Sequence, residues 1–311
     1  MPDSNKKNSS LDQHNYIVFQ CYGNEGVFQE CAFALLSLTR SFEIQQPENT
    51  QIWIYTDNPD WFRAFVDCQL PLHFRYIDAE TIKEWKGKID FVHRVKIELL
   101  KDFTRDRQGN ILYLDADICI THPLKQLFAG IDAGKLYMHV MESVVSQRAN
   151  PILTKLDNYL RSETTITINQ KPIYDLEMWN AGVLGFNTKY RHLLDEVLTF
   201  TDCEYPKFSK HIIEQFAFSI FFQQEGKVKS AAPYMLHYWN LKEARTLLAD
   251  FFTHFSGMSW PNLAGYASLL QMHVLMQEKV NYLANRSIAD KLQGKHWVPP
   301  AIDWKRLATE L

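Results

Sequence analysis

The sequence predicts an α/β protein, a mostly parallel sheet flanked by helices, with a helical C-terminal extension. Three observations predict it. Short apolar runs ending in Gly or Asp recur through the first half, stretches of helical periodicity lie between them, and from Glu243 onward the pattern is mainly helical. Strands alternating with helices pair in parallel, because each crossover returns the chain to the same end of the sheet.

Residues 16–22 (YIVFQCY) read as a buried strand that stops at Gly23, and residues 26–42 as the helix after it. Residues 51–56 (QIWIYT) form a second strand ending at Asp57, and residues 61–66 a short helix. Residues 72–77 alternate like a third strand, and residues 91–103 return to helical spacing. Residues 111–114 make a fourth strand, which runs into Asp115-Ala116-Asp117. In the second half, residues 164–168, 183–186 and 234–238 read as strands and residues 210–223 as a buried helix. Ligands of such sheets bind beyond the carboxyl ends of the strands, which places Tyr22, Asp57 and Asp115 on one rim.

The chain has 311 residues, 46% hydrophobic and 22% charged, enough to bury a sizeable core. Its net charge of −3 gives no general attraction to phosphate backbones and argues against a nucleic-acid partner. The longest apolar runs, 31–38 and 216–222, fall short of the roughly 20 residues of a membrane span. The polar start lacks the apolar stretch of a secretory signal, so a cytoplasmic protein with a short disordered lead-in is expected. Cys21, Cys31, Cys68, Cys119 and Cys203 form no CxxC pair and are expected as buried reduced thiols.

The strongest chemical signal is ILYLDADI, residues 111–118, an apolar strand that delivers two carboxylates at i and i+2 to the rim. Hard oxygen ligands of this kind suit Mg²⁺ or Mn²⁺, and a metal held there neutralises a diphosphate as it leaves. The bland alternative is a pair of solvated acids at a strand end. Asp57 either caps the helix that starts near Pro59 or accepts hydrogen bonds from a nucleoside. Arg94 and Lys96 lie on a helix, as its solvated side or as anion ligands. Asn180 and Gly182 form either a turn or a ligand contact. Gln215, on an otherwise apolar helix, needs a partner if buried.

With these segments in order, the chain resembles the GT-A glycosyltransferases, and within them glycosyltransferase family 8. The segments are His93-Arg94-Val95-Lys96, Asp115-Ala116-Asp117, WNAGVLGFN at 179–187, Glu214-Gln215 and His237. The likeness runs over roughly residues 16 to 245. It implies a Rossmann-like mixed sheet that binds a nucleotide-sugar, with a catalytic domain over 16–245, a lead-in over 1–15 and a packed helical extension over 246–311. It implies a metal, Mn²⁺ or Mg²⁺, on Asp115, Asp117 and His237. Tyr22, Asp57, Arg94, Lys96, Ala116, Asn180, Ala181, Gly182 and Lys242 would contact the donor, with Glu214 or Gln215 near the anomeric carbon. The implied donor is a UDP-sugar, the acceptor a carbohydrate or a lipid-linked hydroxyl, the outcome retention, and a homodimer a candidate assembly. After His237 the chain lacks the family's Pro-Trp, and its lysine stands one place early.

Two other readings share these residues. A haloacid-dehalogenase-type phosphotransferase also carries an acid-x-acid pair, but after its first strand and not its fourth. A catalytically inactive sugar-binding protein would use the same fold. A nucleotidyltransferase would need a basic glycine-rich loop, whereas YGNEG at 22–26 has no basic residue.

Overall fold

The computed structural model describes residues 14–65, 70–163 and 166–307. Four strands, β1 (His14–Gln20), β2 (Thr50–Thr56), β3 (Leu72–Tyr76) and β4 (Gly109–Leu114), pair in parallel in the order β4-β1-β2-β3. Beyond β4 the chain adds β5 (Ile118–Ile120), β6 (Tyr137–Met138), β7 (Met141–Val144), β8 (Thr167–Ile168) and β9 (Lys171–Pro172). It then forms β10 (Glu177–Trp179), β11 (Val183–Asn187), β12 (Lys229–Ser230) and β13 (Met235–His237). The seven-stranded sheet runs β12-β6-β11-β4-β1-β2-β3, and β11 is antiparallel to both of its neighbours. The sheet is therefore mixed, as the fold class implied. Small antiparallel pairs, β10 with β7 and β13 with β5, stand beside it and carry much of the site.

The helices are α1 (Glu25–Gln45), α2 (Pro59–Phe65), α3 (Ala79–Lys86), α4 (Arg94–Thr104), α5 (Lys125–Asp132), α6 (Pro151–Glu163), α7 (Leu193–Phe208) and α8 (Ile212–Glu225). The C-terminal helices are α9 (Ala244–His254), α10 (Trp260–Ala267), α11 (Met272–Asn285), α12 (Ile288–Leu292) and α13 (Trp304–Leu307). None of the described helices is long and apolar enough to cross a membrane.

The alternation of side chains along β1 and β4 divides the core in two. Ile17, Phe19, Leu112 and Leu114 face a cluster built with α1 and the C-terminal helices. Tyr16, Val18, Ile111 and Tyr113 face another built with α4, α7 and α8. Helix α1 is capped by Asn24, whose side chain accepts the Val27 N–H at 3.2 Å. It is buried almost continuously from Phe28 to Leu38, because the sheet covers one side and α9 and α10 the other. Phe251, Phe252 and Phe255 enter this core, and the Trp260 indole N–H donates to Thr39 Oγ1 at 2.8 Å.

Several boundaries move. Strand β1 starts at His14, so residues 14 and 15 join the sheet, while residues 1–13, with the rest of the expected lead-in, lie outside the described residues. Residue 66 of the expected short helix and residues 164–165 of an expected strand also lie outside them. Helix α4 starts at Arg94, because residues 91–94 make a turn in which the Arg94 N–H donates to the Phe91 carbonyl. The thiols are free, but Cys203 is exposed and Cys119 only half-buried, and Cys68 is outside the described residues. A cavity of about 320 Å³ between α1, β5 and the C-terminal helices is lined by Phe33, Cys119, Leu236 and Met272 among others, and by none of the expected site residues.

Candidate active site

Three parallel strands deliver the rim. At the end of β1 the Cys21 N–H donates to the Tyr55 carbonyl at 2.8 Å, and one residue past Tyr22 the Gly23 N–H donates to Asp57 Oδ2 at 3.1 Å. Gly23 holds φ at 103°, a conformation that a side chain would strain. Asp57 does not cap α2: Asn58 does, its Oδ1 accepting the Trp61 N–H at 3.2 Å. The other Asp57 oxygen is buried without a hydrogen-bond partner. Beside it, burial and then the Asp57 charge push the Tyr22 phenol up to about 12.

Asp115 leaves β4 with its N–H bonded to the Gly182 carbonyl at 2.9 Å, and Tyr113 donates its hydroxyl to Asp115 Oδ1 at 2.7 Å. Asp117 is reached from β13, where the antiparallel pair with β5 sets His237 opposite Ile118. His237 Nε2 lies 3.0 Å from Asp117 Oδ1 and 4.0 Å from Asp115 Oδ2. Potential ligand atoms of these three residues lie within 4.8 Å of one another.

Asn180 decides where the histidine carries a proton. Its Nδ2 donates to Glu142 Oε1 at 3.1 Å, and its Oδ1 accepts the Gly182 N–H at 3.0 Å. The oxygen therefore faces His237 Nδ1, at 2.8 Å, and can only accept. That places a proton on Nδ1 and leaves Nε2 facing the two carboxylates, where it hydrogen-bonds Asp117 when protonated and offers its lone pair to a cation when deprotonated. Three electron-rich groups thus converge on one point, a donor set that fits a hard or borderline divalent cation. Burial works to raise the Asp117 pKa, but the His237 contact and the Lys242 charge outweigh it and hold the carboxyl below its ordinary value. Gly182 has its own packing reason: a Cβ there would overlap the His237 ring at Cε1 and Nδ1.

Arg94 and Lys96 exchange their expected prominence. The Arg94 guanidinium is taken up by Asp202 Oδ1 at 2.7 Å, Glu98 at 2.9 Å and the Trp85 carbonyl at 2.7 Å, so it ties α4 to α7. The expectation that it contacts a donor has no free N–H fork to rest on. Lys96 is the cation at the site, buried and bonded to the Ala181 carbonyl at 3.0 Å, with Asp115 and Glu214 each at 3.3 Å. Burial would lower its pKa, yet the two carboxylates raise it overall.

The Glu214-Gln215 pair divides in two. Gln215 is half-buried, donates from Nε2 to Glu142 Oε2 at 3.0 Å, and accepts the Ala181 N–H at 3.4 Å. Glu214 is 3% exposed and lies behind Lys96. Burial raises its carboxyl pKa to about 7, with Asp115 adding to the rise and Lys96 opposing it. The folded state thus holds this proton more tightly than the unfolded chain, whose ordinary value is 4.5. The stability that comes from Glu214 is complete below pH 4.5 and is lost as pH rises toward 7, by about 3 kcal/mol at 1.4 kcal/mol per pKa unit. In chelator, the denaturation midpoint of the wild type is expected to fall relative to Glu214→Gln across that window. Parallel pH profiles for the two proteins would show that Glu214 does not titrate there.

Ala116 and Ala181 are buried beside the acids, and Lys242 is exposed, its charge felt at both Asp117 and Glu30. Sequence reasoning missed Glu142 and His139. Glu142, on β7, bridges Asn180 and Gln215, and His139 packs edge-on against His237 with ring centroids 5.5 Å apart. Neither sits in a motif; the pairing of β7 with β10 brings in Glu142, and the His139 N–H bond to the Asn180 carbonyl at 3.0 Å holds His139 beside it.

No family model matches the chain, and no curated protein matches it. Solved structures similar to it include glycosyltransferases. The apo-form glycosyltransferase GlyE of Streptococcus pneumoniae TIGR4 is 16% identical, over 82% of this chain and 63% of that one, with a TM-score of 0.48. This chain therefore spans less than two thirds of GlyE. The galactosyltransferase LgtC, solved with donor and acceptor sugar analogues, is 13% identical over 76% of this chain and 95% of its own, at a TM-score of 0.46. Mouse xyloside xylosyltransferase 1 is 15% identical over 69% of this chain and 85% of its own, at a TM-score of 0.45.

Proposed function

We propose that the protein is a metal-dependent glycosyltransferase of the GT-A class, similar to family 8, that moves a sugar from a nucleoside-diphosphate donor to a hydroxyl acceptor. The observation that carries this reading is the convergence of Asp115, Asp117 and His237 Nε2 at the rim, with Asn180 holding the proton on Nδ1. Mn²⁺ or Mg²⁺ is the ion whose chemistry fits, and when bound it supplies the positive charge that a departing diphosphate needs.

The chain's own residues have separable tasks. Lys242, exposed beside Asp117, supplies a second positive charge to the diphosphate. Tyr22 and Asp57 border the nucleoside, and the unpartnered Asp57 oxygen is an acceptor for a ribose hydroxyl or a base N–H. Glu142, Asn180 and Gln215 form a polar triad suited to sugar hydroxyls, with Gln215 toward the anomeric carbon. Glu214 acts through Lys96, which aligns Asp115 and the Ala181 carbonyl, so we assign it a positioning role. Uridine as the base, retention at the anomeric carbon and a homodimeric assembly belong to the same reading, on the family resemblance. The dehalogenase-type alternative is not favoured, because the acid pair follows β4 in chain order.

The test is release of nucleoside diphosphate from a panel of nucleotide-sugars with Mn²⁺ or Mg²⁺ present. Turnover is expected with at least one donor, and excess chelator is expected to stop it. Full turnover in chelator would remove the metal from the assignment. Failure of the whole panel, with the protein folded and metal bound, would favour an inactive sugar-binding protein.

A further inference from the structure

We infer that Trp239 is the stacking platform for a pyranose ring of the acceptor, and so that the acceptor is a carbohydrate; this rests on the glycosyl-transfer reading. Trp239 stands two residues beyond His237 and is 49% exposed. Among the described residues its ring stacks on no other ring, and its indole N–H has no acceptor. The chain on each side is pinned. The Tyr238 N–H donates to the Asp117 carbonyl at 3.1 Å, and the Leu241 N–H turns back to the Tyr238 carbonyl at 2.8 Å. Lys279 holds the Asn240 carbonyl at 2.7 Å. Tyr238 and Leu241 are each 1% exposed, so the turn is anchored in the core by its neighbours while Trp239 alone is left outward.

A tryptophan held half in water keeps apolar ring surface that a ligand can cover. Its backbone stands next to the metal corner, one residue from the Tyr238 N–H that bonds the Asp117 carbonyl. Two further exposed apolar residues border the site, Val140 at 38% and Met141 at 43%, and the Val140 carbonyl accepts the Asn180 N–H at 2.9 Å. The polar groups of the corner, Asp115, Asp117 and Lys242, suit a metal and a diphosphate and leave no polar task for an indole. A pyranose presents one face of C–H groups, which packs on an aromatic face while its hydroxyls stay hydrated or hydrogen-bonded. An acceptor sugar seated on Trp239 would lie beside the anionic corner where the donor's sugar–phosphate bond breaks. A flat aromatic anchor selects a ring over a flexible alcohol, because the ring loses less freedom on binding.

The experiment uses the full chain, Trp239→Ala and Trp239→Phe, with methyl glycosides of glucose, galactose and N-acetylglucosamine as acceptor probes. Donor hydrolysis without acceptor is measured alongside transfer, and saturation-transfer NMR reads glycoside binding independently of turnover. Trp239→Ala is expected to raise the KM of the accepted glycoside about tenfold and to abolish its NMR signal. Donor KM, hydrolysis rate and thermal midpoint are expected to stay at wild-type values, and Trp239→Phe to recover most of the binding. An unchanged acceptor KM, or an equal rise in donor KM, overturns the inference. So does wild-type donor hydrolysis with neither transfer to nor binding of any glycoside, or self-association that only the alanine variant loses. Absence of donor hydrolysis in the wild type marks instead the failure of the glycosyl-transfer reading, and the inference falls with it.

Discussion

Asp117→Asn is expected to remove donor turnover by a factor of about a thousand while leaving the fold intact. Asparagine keeps the volume and one carbonyl oxygen but loses the charge, so the corner formed with Asp115 and His237 no longer concentrates three electron-rich ligands. A separate readout isolates the metal. Ion that binds only the folded state raises stability by about 2.7 kcal/mol at a hundredfold excess over its dissociation constant. The wild type is therefore expected to gain thermal midpoint on addition of Mn²⁺, and Asp117→Asn to gain none. In chelator the variant is expected to lie somewhat below the wild type at neutral pH, because it loses the His237 and Lys242 interactions that hold the Asp117 carboxyl below its ordinary pKa. A variant that still responds to Mn²⁺ like the wild type would return the acid pair to the status of solvated acids.

Deletion of residues 243–311 is expected to leave an insoluble or unfolded chain. Helix α1 is buried along nearly its whole length, and its outer side is covered by α9 and α10. The deletion removes Leu247, Leu248, Phe251, Phe252, Phe255, Trp260, Leu263 and Leu270 from that core. At roughly 1.5–3 kcal/mol per large apolar side chain, this is as large as the whole stability of an ordinary domain, about 5–15 kcal/mol, or larger. It also strips Arg245 from Glu30, a buried carboxylate that accepts from Arg245 Nε at 3.0 Å and Nη2 at 3.1 Å. Uncompensated, such a charge costs about 3–5 kcal/mol more. The measurement is solubility and cooperative unfolding of the truncated chain. A soluble, cooperatively folded product that still hydrolyses donor would make the region a separable module.

The same burial decides between uses of the C-terminal aromatics that periodicity left open. Trp260 is 3% exposed and Tyr266 stacks on Phe255 with centroids 4.4 Å apart, so both serve the core before any outside contact. An exposed aromatic two residues past His237 is Trp239, a residue that no periodic pattern marks out. Apolar periodicity reports that a face will be covered, and it does not report by what.

By itself, the sequence determined the four parallel strands, the long helix after the first of them, and the delivery of Asp115 and Asp117 at the end of the fourth. These are local matters: an apolar run of strand length, a terminating Gly or Asp and an i, i+2 carboxylate pair are read from neighbouring residues. Tertiary structure alone decided which basic residue enters the site. Arg94 and Lys96 lie on one helix two residues apart, roughly 200° around its axis, so one faces Asp202 and the other Asp115. It alone brought in Glu142 and His139, since short strands such as β7 and β10 have too few residues to show a period. It also set the proton on His237 Nδ1, which depends on Asn180 and Glu142, residues 57 and 95 positions from His237. Contacts of that range follow from how the sheet is closed, and a linear pattern carries no information about closure.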